Sequence, residues 1–126
     1  MEPWMELVAR TCLASPFLVS AIDKTLRPEA ARAEIRALAI PGGFRPPITA
    51  IHLSVLALQC AGGLLLLHPL AAPLGALILL LFLLPATLIA HPFWSVPAQA
   101  RPAKRDHFLA NIAIAGGLVL VASGAL

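Results

Sequence analysis

Residues 46–100 contain no Asp, Glu, Lys or Arg. A helix rises about 1.5 Å per residue and the hydrocarbon core of a bilayer is about 30 Å thick, so one crossing takes roughly 20 apolar residues. The uncharged stretch holds two crossings and a tight turn, with little to spare. A water-soluble domain does not leave so long a run without charge, so the bilayer is the solvent for most of this chain. Composition agrees: 60% of the residues are hydrophobic, 12% are charged, and mean hydropathy is +0.89. Those values belong to polytopic membrane proteins.

Four apolar segments stand out, at residues 7–22, 48–67, 70–90 and 108–126. Backbone groups in lipid must be satisfied within their own element, which makes these segments helices. The first carries Arg10 and reaches spanning length if residues 3–6 lie at the interface. Glu2 and Glu6, with no early Lys or Arg, argue against a secretory leader, so a retained first helix is expected. His68-Pro69 turns the second and third segments into an antiparallel hairpin. Pro16, Pro73 and Pro85 are expected to bend their helices. The predicted fold is an all-α membrane protein, one domain over residues 1–126. It is an antiparallel four-transmembrane-helix bundle with a short surface helix in the first loop.

That surface helix is predicted over residues 28–38. Ala31, Ile35 and Leu38 share one face, Arg32, Glu34 and Arg36 lie elsewhere, and Pro41-Gly42-Gly43 ends the run. The basic residues have a pattern of their own. Lys24, Arg27, Arg32, Arg36 and Arg45 fall in the first loop, and Arg101, Lys104 and Arg105 precede the fourth helix. Parity puts both loops on one side, and the positive-inside rule makes that side cytoplasmic, with both termini outside. Arg10 is the one dissenter. The net charge of +3 is thus a topology signal, and no nucleic-acid partner is expected. Trp4 and Trp94 suit the two interfacial belts.

Polar side chains inside the helices carry whatever chemistry the chain has. His52, Gln59 and Gly63 recur at spacings of seven and four, so they share one face, which should point into the bundle. Gly62 and Gly63 allow a neighbouring helix to approach closely, and Ala113 and Gly117 form a second small pair. His52, His91, His107 and Asn111 converge on the loop end of the bundle, beside an Asp23–Lys24 ion pair. One reading makes these groups packing and interhelical hydrogen bonds only. The other makes His52, His91, His107 and Asn111 a site that hydrogen-bonds a quinone carbonyl or passes protons, since His titrates near neutral pH.

Other chemistries fit less well. His52 and His91 differ in depth by about a turn and Pro92 follows at once, which disfavours axial haem ligation. No metal motif has ligand spacing. Cys12 and Cys60 lie at similar depth and could be neighbours, but apolar flanks make them inert small core residues rather than a redox pair. Arg10 has Glu6 one turn earlier and Gln59 across the helices as candidate partners, or it snorkels to headgroups. No nucleophile with its base is present, so a stand-alone hydrolase or kinase is disfavoured.

Several strings, in order along the chain, resemble the DoxX family of small four-helix membrane proteins. They are Ala9-Arg10 through Phe17 with Ser20-Ala21-Ile22-Asp23-Lys24, then Gln59-Cys60-Ala61-Gly62-Gly63-Leu64-Leu65-Leu66. Ala86-Thr87 through His91-Pro92-Phe93-Trp94 and His107-Phe108-Leu109-Ala110-Asn111 through Gly116-Gly117-Leu118 complete the set. Many members carry a Glu just before the paired glycines of the second helix, where this chain has Gln59. If that acid relays protons or pairs with the helix-one Arg, this chain lacks the function.

The resemblance implies an integral membrane subunit or accessory protein of a redox complex, quinone-linked and of the sulfur-oxidising or oxidative-stress type. It further implies a bacterial inner membrane, a protein partner or a second copy, and quinone as the one candidate cofactor. Arg10, Asp23, Lys24 and Gln59 are the further polar positions of interest. A non-catalytic membrane anchor that stabilises a partner is the alternative. A small multidrug exporter is a lesser one, since that chemistry needs a carboxylate in a helix interior and Glu6 and Asp23 lie at ends.

Overall fold

The computed structural model describes residues 1–38, 41–43 and 47–126. Those residues include five α-helices: α1 (Pro3–Leu26), α2 (Pro28–Ala37), α3 (Ile48–Leu67), α4 (Ala72–Ala90) and α5 (Arg101–Ala122). Short 3-10 turns lie at Pro41–Gly43 and Phe93–Ser95. α1, α3, α4 and α5 are long and apolar enough to cross a membrane, and no strand occurs among the described residues. The chain is a four-helix membrane bundle, as its charge pattern required.

Helix boundaries depart from the apolar segments in physically readable ways. α1 extends beyond residues 7–22 at both ends, with Pro3 in its first turn and Lys24 in its last. α5 starts at Arg101, seven positions before the apolar run, because Pro102 suits a first helical turn and the charged residues that follow are helix-compatible. α4 begins at Ala72 rather than at residue 70, after a turn in which the His68 carbonyl accepts from the Ala71 and Ala72 amides at 3.0 and 2.8 Å. Pro73 therefore sits in the first turn of α4, where no helical partner awaits its nitrogen. It starts the helix and does not bend it, contrary to expectation.

α1 and α4 continue through their internal prolines, Pro16 and Pro85. Pro16 has no N–H for the Cys12 carbonyl four residues back. The Ser15 hydroxyl donates to that carbonyl instead, at 2.9 Å. In hydrocarbon such a substitute matters, since no water is at hand.

α1 packs on α3, α3 on α4, and α4 on α5, while α1 and α5 touch only sparingly. Leu66, Ala72, Ala76, Leu79, Leu118 and Val121 form the fully buried centre. Glycines set the spacing of the helices. A Cβ on Gly62 would fall 2.6 Å from Leu79 Cγ, one on Gly63 2.6 Å from Leu18 Cδ2, and one on Gly117 2.8 Å from Leu13 Cδ2. The expected closeness at Gly62 and Gly63 is thus real, and it serves two different neighbours, α4 and α1. Ala113, the proposed mate of Gly117, is exposed. Lipid supplies no hydrophobic drive between helices, so van der Waals contact at such small residues holds them together.

Leu53, Leu64, Leu74, Leu81, Leu88 and Leu109 face outward. Cys12 and Cys60 face outward as well, both as free thiols. They are surface positions and not the core residues expected, because Ala14 and Phe17 of α1 and Gln59 and Gly63 of α3 take the inner face.

α2 forms at the residues its amphipathic pattern predicted, ending at Ala37, but it packs on the bundle where a membrane surface was expected. Its apolar face turns to the bundle, resting on α1 and α3 with Ala31 buried. In the turn beyond it, Gly42 and Gly43 take positive φ of 82° and 68°, a conformation that excludes most side chains. Arg45, counted above in the basic loop, lies outside the described residues.

Candidate ligand cavity at the loop end of the bundle

Beneath α2, all five helices contribute to a cavity of about 530 Å³. Phe17, Ile51, Val55, Phe82 and Ile114 give it apolar walls. Ser20, Lys24, His52, Gln59, His91 and Asn111 give it polar ones, α2 adds Glu34 and Ile35, and Leu38 follows just beyond it. The cavity is not sealed. Leu81 and Pro85 belong to its wall and are exposed on the outer side of α4, where lipid lies.

Two of the polar residues are deeply buried. His52 is 3% exposed and Gln59 is 4% exposed, two turns apart on the inner face of α3. Gln59 Nε2 donates to Ser20 Oγ of α1 at 3.2 Å, and Lys24 Nζ donates to the same oxygen. Gln59 Oε1, His52 Nδ1 and His91 Nδ1 are buried without a hydrogen-bond partner. Leaving such an atom unpaired costs roughly 1–3 kcal/mol. Three of them around one cavity are more than packing explains.

On the opposite wall Thr87, Asn111 and Lys104 are hydrogen-bonded, and His91 Nδ1 is the exception. Thr87 Oγ1 donates to the Leu83 carbonyl at 2.6 Å and accepts from Asn111 Nδ2 at 3.0 Å, which ties α4 to α5. Lys104 Nζ donates to the Ala90 carbonyl at 2.7 Å, closing the C-terminus of α4 with a cation. The His91 and His107 rings stack there, with centroids 5.1 Å apart and planes 10° apart. Phe93, Trp94 and Phe108 form an edge-to-face cluster beside them.

The sequence-predicted positions divide accordingly. His52, Gln59, Lys24, His91 and Asn111 line one cavity. His107 is exposed and meets the site only through its stack on His91, because the first turns of α5 project beyond the bundle. Asp23 is exposed and pairs with Arg27 one turn on, not with Lys24. Arg10 lies at the other end of α1, buried, with Glu6 Oε2 at 3.6 Å and its Nε unpaired. Gln59 is committed to Ser20, so the suggested Arg10–Gln59 pair does not form.

Ser20, Thr87 and Glu34 were not anticipated. Ser20 precedes Lys24 by one helical turn, and Thr87 precedes His91 by one turn, so the same spacing rule that grouped His52 with Gln59 could have found both.

The chain matches the DoxX family over residues 5–92, which takes in α1 through α4, and it belongs to that family. The likeness noted for residues 107–118 lies outside the matched range. No curated protein and no solved structure matches the chain.

Proposed function

We propose that this DoxX protein is an accessory membrane subunit of a redox complex and that its loop-end cavity holds the head of a quinone. The observation that carries the reading is the pair of unpartnered atoms on His52 and Gln59, each more than nine-tenths buried in the cavity wall. A quinone is a flat apolar ring with oxygens at opposite edges. Apolar walls with a few convergent polar groups, in a volume of about 300–1,000 Å³, are what such a ligand needs. The opening past Leu81 and Pro85 suits a molecule that arrives through the lipid with its tail trailing.

In this reading the chain binds and orients the ring, and electrons come from a partner subunit. His52 and His91 would hold the ring oxygens by hydrogen bonds, since an imidazole carries ring nitrogens able to donate or accept. The basic residues of α2 and of the first turns of α5 support a cytoplasmic cavity with both termini outside, and the family resemblance suggests the inner membrane of a bacterium.

The test is purification in mild detergent with identification of co-purifying proteins, for the parent and for His52→Leu. A redox enzyme should accompany both, with electron transfer to quinone lost in the variant complex. A variant complex that turns over normally per inserted subunit sinks the site and leaves the anchoring role.

A further inference from the structure

Gln59 differs from the other polar groups in the cavity in one respect. Its Nε2 is engaged by Ser20 Oγ, whose oxygen also receives Lys24 Nζ. Nε2 keeps a second N–H, but the one Gln59 side-chain atom with no hydrogen-bond partner is Oε1, a carbonyl oxygen on a residue 4% exposed. That atom accepts hydrogen bonds and cannot give them. His52 and His91 are not selective in this way, since each neutral ring offers a donor and an acceptor. Lys24 offers donors, which any ring oxygen can accept.

We propose that Gln59 selects the reduced form of the ligand, so that the cavity holds a hydroquinone in preference to the quinone. The inference rests on the cavity reading above and adds the chemical state of its occupant. A ring hydroxyl is donor and acceptor at once. It gives its proton to Gln59 Oε1 and receives from Lys24 or an imidazole, so the hydroxyl and the buried amide oxygen are both paired. A quinone carbonyl has no proton to give. Against Gln59 it would set two acceptor oxygens face to face in a low-dielectric wall, where lone pairs are not screened. Sites built to hydrogen-bond a hydroxyl reject analogues lacking it far more strongly than apolar pockets reject a missing methylene.

The role of Ser20 follows. Its oxygen, which also receives Lys24 Nζ, accepts from Gln59 Nε2 and so draws the amide nitrogen toward α1, with Oε1 left unpartnered. Ser20 and Lys24 act through Gln59 and are positioning residues.

The experiment is equilibrium binding to the purified full-length protein in lipid nanodiscs. The probes are a decyl-substituted benzoquinone and its hydroquinone, measured separately under oxidising and reducing conditions. The parent should bind the hydroquinone about tenfold or more tightly than the quinone, the size expected when a buried acceptor gains its donor. Gln59→Met, close in length and without hydrogen bonds, should bring the two affinities together. Gln59→Glu keeps an acceptor at the same reach and should keep the preference, which guards against a misfolded Met variant. His52→Leu should weaken both probes and preserve their ratio. Equal affinities in the parent, or tighter binding of the quinone, overturn the role of Gln59 while the cavity reading stands. Binding of neither probe overturns both.

Discussion

Gly75 of α4 lies directly against the backbone of α3 at Gly62: a Cβ on Gly75 would sit 2.7 Å from the Gly62 carbonyl oxygen and 2.8 Å from the Leu66 nitrogen. Both obstacles are main chain, so neither can rotate away. Gly75→Ala should force the hairpin of α3 and α4 apart and lower stability by about 1–3 kcal/mol. Gly116→Ala, with nothing within 4 Å of the added carbon, should leave it unchanged. Thermal unfolding in detergent, followed by retention on size exclusion, compares the two.

The bond from Asn111 to Thr87 is a weaker matter. Interhelical hydrogen bonds in membranes average about 0.6 kcal/mol, because alternative partners exist in the unfolded helices. Thr87→Val keeps the shape and removes the acceptor. It should shift stability by less than about 1 kcal/mol, and a larger loss in the same unfolding assay would show that this wall of the cavity depends on the bond more than packing suggests.

Cys12 and Cys60 point outward. The double Ser variant should accumulate and function like the parent, and a lipid-soluble maleimide should label both thiols in the parent. Loss of activity in each single Ser variant at normal abundance would show a redox role that outward-facing, separate thiols do not support.

Orientation can be read with single cysteines in that Ser background. Ala33→Cys on α2 and Ala98→Cys before α5 are exposed positions at the same end of the bundle. Both should react with a membrane-impermeant reagent only from the cytoplasmic side. Labelling from opposite sides would break the bundle topology, and labelling of both from outside would reverse its orientation.

The fold was legible because charge is costly in lipid: residues 46–100 could only be two crossings, and the segments on either side had to match. The buried polar pair was legible for the same reason, since His52 and Gln59 interrupt an otherwise apolar helix. Hydroxyl residues give no such signal. Thr87 satisfies itself on the Leu83 carbonyl wherever it sits in a helix, so its second bond, to Asn111, leaves no trace in the sequence. Adjacency misled at Asp23 and Lys24. Successive helical residues point about 100° apart, which sends Asp23 out to Arg27 and Lys24 in to Ser20. The cavity itself was hidden because it depends on where α2 rests. An amphipathic helix of that composition lies on a membrane or on a bundle with the same face, and only the packing of Ala31 and Ile35 over α1 and α3 distinguishes the two.

Whether the loop-end cavity holds a quinone is read from the quinone content of the purified protein. Parent and His52→Leu are isolated from the same quinone-containing membranes in mild detergent, and bound quinone and hydroquinone are extracted and quantified per mole of protein. The parent should carry close to one equivalent and the variant a several-fold lower amount, at equal abundance and equal thermal stability. Equal content in the two proteins, or none above the detergent background in the parent, would contradict that occupancy.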